Sequence, residues 1–112
     1  MNALSEIGEI LTAIKIPWQT GAYTESAPDQ YVVLVPLSDT FDIVADNRPQ
    51  FDVQAVRLSI FSKGNYNLIK NQLVRILLDA DFFLSDRRYL DYDSETGYHQ
   101  YVLDVEKHYE ME

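Results

Sequence analysis

The stretch RRYLDYDSETGYHQYVLDVEKHYE, Arg87 to Glu110, decides the reading of this chain. Two aromatic, β-prone runs flank a turn, Asp93-Ser94-Glu95-Thr96-Gly97. Asp and Ser bond back to nearby backbone through their side chains, and glycine accepts a positive φ, so the pentad predicts a hairpin connection. The expected strands run from Phe82 to Tyr92 and from Tyr98 to Tyr109. In the second, Tyr101, Leu103 and Val105 share one face, while Gln100, Asp104, Glu106 and His108 share the other with Val102. That alternation predicts a half-buried antiparallel strand.

Towards the N-terminus the period changes. Tyr66 to Leu78 places Ile69, Leu73, Ile76 and Leu77 on one helical face and leaves Lys70, Asn71, Arg75 and Asp79 to solvent. Lys63-Gly64-Asn65 breaks the chain before this helix. Phe51 to Ser62 reads as a strand whose apolar alternation changes phase between Ala55 and Val56, as a β-bulge or strong bend would produce. Ser38 to Gln50 is polar, with Asp39, Asp42, Asp46, Asn47 and Pro49, and is expected to be a mobile loop. Tyr31 to Leu37 (YVVLVPL) predicts a short strand that lies at a sheet edge or ends at Pro36, because proline donates no ladder hydrogen bond.

Ile16 to Gln30 reads as irregular, punctuated by Pro17, Gly21 and Pro28, with Trp18 and Tyr23 pinning it to the core. A first helix, about Ala3 to Ile14, carries Leu4, Ile7, Leu11 and Ile14 on one face. Ser5 and Glu6 suit the positive end of its dipole, and Pro17 marks its end. The order α–β–β–α–β–β predicts an α+β fold: an antiparallel sheet of about four strands with two helices packed on one face. The chain has 112 residues, the size of one domain spanning 1–112. Such a domain buries roughly two-thirds of its unfolded surface and needs no staple.

Composition narrows the function. There is no cysteine, which excludes disulfides, thiolate metal sites and cysteine nucleophiles. No apolar run approaches the roughly 18 residues of a membrane span, so no membrane contact is expected. The opening MNALSEIGEILTAIKIPW lacks a basic n-region and carries Glu6 and Glu9 within its apolar pattern, so it reads as an amphipathic helix and not a signal peptide, and the protein is expected to be made and kept in the cytoplasm unless it leaves as part of an assembly. Formal net charge is −9. The excess of acid is spread over both halves, which serves solubility and repels phosphate backbones.

Motifs of chemistry are weak. Asp91 to Gly97 (DYDSETG) superficially resembles a calcium loop, but the positions that require glycine and glutamate hold Thr96 and Val102, so a surface turn is expected. His99 and His108 are the two histidines; nine residues apart in one strand, they point to opposite faces and cannot share a metal ion. Nothing matches a phosphate-binding glycine loop or a nucleophile elbow. No catalytic residue, cofactor or metal is assigned, and no enzyme is expected. Eight tyrosines are present, six of them from Tyr66 onward. Tyrosine suits both an interface and ordinary sheet packing. Arg87 and Arg88 among the tyrosines tilt the balance towards an interface.

The run from Asp46 to Glu110 resembles small neck proteins of long-tailed bacteriophages and their prophages, and among them the tail-completion or tail-terminator group. The resemblance rests on the polar loop leading into Phe51–Phe61, KGNY at Lys63–Tyr66, the helix ending RILLDADF, DRRY at Asp86–Tyr89 and the final hairpin. It covers roughly the last two-thirds of the chain; the opening helix and YVVLVPL match in pattern only. It implies a virion protein that forms a ring, typically of six copies, on the finished tail tube and docks onto the head connector. DNA would pass through without specific binding, which suits an acidic protein. A ring needs two complementary surfaces on each subunit. Arg87, Arg88, Tyr89, Tyr92 and Tyr98 are expected in one, and Asp42 and Asp46 in a loop that meets the tube or connector. The competing expectations are a head-side stopper or adaptor, an acidic regulatory or DNA-mimic protein, and a small enzyme with a deep pocket.

Overall fold

A computed structural model describes residues 2–22, 26–43 and 49–110, with the backbone alone described at 39–43 and 49–51. The elements are α1 (Ala3–Ala13), β1 (Trp18–Thr20), β2 (Gln30–Ile43), β3 (Pro49–Ser62), α2 (Tyr66–Asp79), β4 (Phe83–Tyr92) and β5 (His99–Glu110). The fold is α+β, as expected, but among the described residues the sheet has five strands in the order β1-β2-β3-β5-β4. It is mixed, because β1 runs parallel to β2 while the other pairs are antiparallel. The expected four antiparallel strands and their order are corrected accordingly. β1 has only three residues, Trp18, Gln19 and Thr20, too few to show an alternation. Trp18 does pack against the core, as expected, whereas Tyr23 lies outside the described residues.

Both helices lie on one face of the sheet. Ile7 and Leu11 of α1 and Ile69, Leu73 and Leu77 of α2 meet Val32, Leu34, Val56, Leu58, Ile60, Leu103 and Val105 in one core. The helix stripes recur every three or four residues and the strand stripes every two, so each element turns its apolar side towards the same layer. Each helix starts at an asparagine cap: Asn2 Oδ1 accepts from the Ser5 N–H at 2.8 Å, and Asn65 Oδ1 from the Asn67 N–H at 3.0 Å. α1 is tied to β5 at the far end of the chain. Lys107 Nζ donates to the Glu6 carboxylate at 2.9 Å and to the carbonyl of Ala80, the C-cap of α2, at 2.7 Å.

Within the region expected to be a loop, Ser38 to Gln50, residues 38–43 and 49–50 are strand. β2 continues through Ile43 and β3 begins at Pro49; residues 44–48 lie outside the described residues. The register shifts between Pro36 and Ser38, so Leu37 is the extra residue of a bulge. Pro36 therefore interrupts nothing. Val32 donates to the Pro17 carbonyl and the Leu34 carbonyl accepts from Gly21, which fixes the side of β2 that even-numbered residues address. Two residues further on, Pro36 turns its missing N–H to that side, beyond the last β1 partner at Leu34. The polar composition that suggested a loop belongs to this open edge.

The phase change in β3 marks a change of apolar face. β3 pairs with β5 in unbroken register from Phe51↔Glu110 to Ser62↔His99, and the bulge is in its partner β2. Val56, Leu58 and Ile60 face the helices and are buried. β5 also differs from its expected half-wet character. It lies between β3 and β4, and Val102 (0% exposed) and Asp104 (8%) are buried on the helix-free face. Asp104 is held there by Arg57, whose Nε and Nη2 donate to its two oxygens at 2.8 and 3.0 Å. That bond, strongest of the local effects, binds the Arg57 guanidinium proton still more tightly.

Candidate protein-interaction surface

The final hairpin closes as its turn chemistry dictates. Asp93 donates its N–H to the Tyr98 carbonyl at 2.9 Å, and Gly97 to the Asp93 carbonyl at 2.7 Å. Gly97 adopts φ +85°, a region that favours glycine. Asp93 Oδ1 accepts from the Glu95 N–H at 2.9 Å, so the calcium-like run is a self-bonded turn.

β4 is the outer strand, and most of its side chains are exposed. Four are large and apolar or aromatic: Phe83 is 63% exposed, Tyr89 43%, Leu90 42% and Tyr92 48%. Single exposed apolar residues are ordinary; these four lie along one ten-residue edge strand, with Phe83 opposite Glu106 on the helix-free side and Tyr89 and Tyr92 opposite Tyr101 and His99 on the helix side. This edge is poorly suited to extending the sheet. Its register shifts twice, at Ser85 and at Leu90, and Asp86, Arg87, Arg88 and Asp91 line it. Bulges and charges are the devices that keep edge strands from pairing.

The five hairpin residues expected in one interface divide between the two faces. Tyr89 and Tyr92 come together with His99 on the helix side. The Tyr89 hydroxyl is 3.0 Å from His99 Nδ1, and the Tyr92 ring centroid is 4.6 Å from that of His99. Tyr66 at the start of α2 lies 5.5 Å from Tyr89 and 5.6 Å from Tyr101, which joins the cluster to the core. Neighbouring atoms that exclude water raise the Tyr89 hydroxyl above its ordinary pKa, with Tyr66, Asp91 and Tyr92 adding to the effect. Arg87 pairs across with core-facing Leu103, and Arg88 with Val102, so the two arginines take opposite sides. Arg88 Nε stands 3.6 Å from Asp86.

Tyr98 belongs to a second aromatic group on the helix-free face. Tyr31 and Phe61 stack at 4.9 Å, and Tyr98 meets Tyr31 edge-on at 5.4 Å. The Tyr98 hydroxyl donates to the Pro28 carbonyl at 2.6 Å, fixing the ring. Asp42 is placed in β2, opposite Phe51, three strands from β4. At ~4.8 Å per strand, with a further ~30 Å along the sheet to the level of Tyr89, it shares no patch with the hairpin. Asp46 lies outside the described residues.

Tyr66, His99, Tyr31 and Phe61 were not assigned to a surface from the sequence. Each reads locally as a strand or helix residue; only the sheet order brings them beside the hairpin. Among the described residues no group of three His, Asp or Glu side chains converges to hold a metal ion, and no helix is long and apolar enough to cross a membrane. In comparison with known proteins, no family model and no curated protein matches this chain.

Proposed function

We propose that this chain is a structural protein of a long-tailed bacteriophage neck, one that closes the tail tube as a ring of its own copies and joins tail to head. The observation that carries the reading is the aromatic edge of β4, where Tyr89, Leu90 and Tyr92 are exposed on a strand whose bulges and charges oppose sheet extension. Such an edge suits side-chain contact with another protein. The resemblance of Asp46–Glu110 to tail-completion and tail-terminator proteins supplies the setting. The long β2–β3 hairpin supports it further. Molecular extents of 54 × 25 × 24 Å give the subunit a reach that a ring component can use to meet a tube or connector. Six copies is the number the resemblance implies, and the protein would reside in the virion.

Electron microscopy of tails assembled with and without the chain tests the role. Tails of uncontrolled length in its absence are the expected result. Tails of normal length that fail to join heads would replace termination with the stopper or adaptor role. Tails unaffected and joined would overturn the neck assignment. The Tyr89→Ala/Tyr92→Ala variant is expected to stay folded and to lose ring assembly, read by mass measurement of the assembled species. An unchanged assembly would remove this edge from the interface.

A further inference from the structure

His99 stands inside the helix-side aromatic cluster, and histidine is the side chain that ordinarily changes charge between about pH 5 and pH 8. Tyr89 and Tyr92 reach it from β4 and Tyr66 from α2, with ring centroids 6.0, 4.6 and 5.6 Å from the imidazole. Ser62 of β3 is its partner on the other side of the strand. The nearby cations are turned to other rings: Lys70 Nζ lies 5.2 Å from the Tyr101 centroid and Lys63 Nζ 4.9 Å from that of Tyr98. Asp91 pairs with Gln100 and so belongs to the helix-free side. Among the described residues no carboxylate forms an ion pair with His99. A charge on the imidazole is therefore met by aromatic rings and by one hydroxyl, the Tyr89 oxygen 3.0 Å from Nδ1.

We propose that His99 is a pH switch on the β4 edge: neutral, it accepts the Tyr89 hydroxyl proton at Nδ1; protonated, it donates from Nδ1, and the Tyr89 O–H turns outward to a partner. A phenol donates better than it accepts, because its oxygen lone pair is shared with the ring. That preference selects the Nε2–H tautomer for neutral His99. The proton taken up from solvent goes to Nδ1, which then has no lone pair left, so the bond to Tyr89 must reverse. Tyr89 keeps its own proton throughout, since exclusion of water raises its hydroxyl above the ordinary tyrosine value. The imidazolium remains among Tyr92 and Tyr66, at the separation over which a cation and an aromatic ring attract. Protonation thus leaves the cluster closed and changes what it presents: a free donor on Tyr89 and a positive charge beside Tyr92, both exposed. Against copies that each carry a net charge of −9, both changes favour contact. Contact through this edge strengthens as pH falls through the His99 titration. That consequence for assembly rests on the ring contact proposed above; the reversal of the hydrogen bond does not.

Two measurements on the full chain, from about pH 5.5 to about pH 8, separate the switch from the assembly it acts on. The first is NMR of the histidine ring nitrogens and the tyrosine ring protons. At the upper pH, Nδ1 of His99 is expected to be the unprotonated nitrogen. On acidification the Tyr89 and Tyr92 ring signals are expected to shift with the same midpoint as His99, while Tyr31 on the opposite face stays still. A proton on Nδ1 at the upper pH, or tyrosine signals that ignore the His99 midpoint, would overturn the switch. The second is sedimentation velocity at fixed salt. Association is expected to tighten roughly threefold per contact across the range, the scale of one exposed charge pair. His99→Gln, which can still accept from Tyr89 but cannot take up a proton, is expected to lose that response. His108→Gln is expected to keep it, since His108 lies roughly 30 Å further along β5 at ~3.3 Å per residue. A response that persists in His99→Gln, or vanishes in His108→Gln, would count against His99 as its source. Absence of association at every pH, with the NMR result as expected, would remove the ring contact from this edge and leave the switch standing.

Discussion

Gly8 has no side chain because Trp18 occupies the place where one would stand. A Cβ at that position would lie 2.6 Å from both Cζ2 and Cη2 of the indole. The ring cannot simply swing away, since its Nε1 donates to Thr12 Oγ1 at 3.0 Å. Two effects of opposite sign therefore meet in Gly8→Ala. Helix propensity favours alanine by about 1 kcal/mol, and overpacking against a held ring costs about 1–3 kcal/mol. Net destabilisation is expected, with a shifted fluorescence maximum because Trp18 is the single tryptophan. A rise in urea midpoint with unchanged emission would show that the helix and β1 are not packed this closely.

Tyr109 offers a second test at this scale. Burial raises its pKa well above the ordinary tyrosine range, and the Glu6 carboxylate, which accepts from its hydroxyl at 3.3 Å, raises it further. In the unfolded chain a tyrosine releases its proton near pH ~10. Above that pH the unfolded state binds fewer protons than the folded state, so stability falls as pH rises. Below it the contribution is fully present. Tyr109→Phe is thus expected to flatten the loss of stability above pH ~10 while costing about 1 kcal/mol at neutral pH for the lost hydrogen bond. Urea midpoints of the two proteins at neutral and alkaline pH provide the comparison; parallel curves would contradict the assigned burial.

At the scale of elements, what could be read in the sequence follows from how local the determining contacts are. α1, α2, β4 and β5 were legible within about a residue at each end, because periodicity, an asparagine or lysine–glycine break, and a turn pentad are all local signals. β1 was not, because three residues become a strand only through Val32, Val33 and Leu34 alongside. The outer half of β2 was misread for a related reason. Among the described residues no strand lies on its open side, so its composition is polar, and polar runs read as loops. The candidate surface was legible in residue types but not in sides: the bulge at Leu90 decides which way Asp91 and Tyr92 point, and bulges leave no firm sequence mark. The caps, by contrast, are local and separable. Asn65→Ala is expected to cost about 1 kcal/mol, because it removes the acceptor for the Asn67 N–H. Loss of amide-exchange protection confined to the first turn of α2 would identify the cap as the cause, and a midpoint unchanged from the parent would mean that water serves as well.

Across the whole molecule, the proposed ring must overcome the charge of its own subunits. Every copy carries a net charge of −9, so bringing copies together is opposed by repulsion. The edge assigned to the contact is aromatic, with Tyr89, Leu90 and Tyr92 supplying area that salt does not screen. The basic residues beside it, Arg87 and Arg88, could instead hold the contact through ion pairs with acidic neighbours, and exposed pairs weaken as ions are added. The two mechanisms respond to salt with opposite sign. The screening length falls from roughly 14 Å at ~0.05 M to about 4 Å at ~0.5 M, which removes repulsion and exposed ion pairs alike. If apolar and aromatic burial holds the copies together, assembly strengthens across that range at fixed protein concentration. Sedimentation velocity of the chain reads the outcome directly. Growth of the assembled fraction with salt is expected, and it should vanish in Tyr89→Ala/Tyr92→Ala. Dissociation with salt would transfer the contact to Arg87 and Arg88 and make their replacement by glutamine the disabling change.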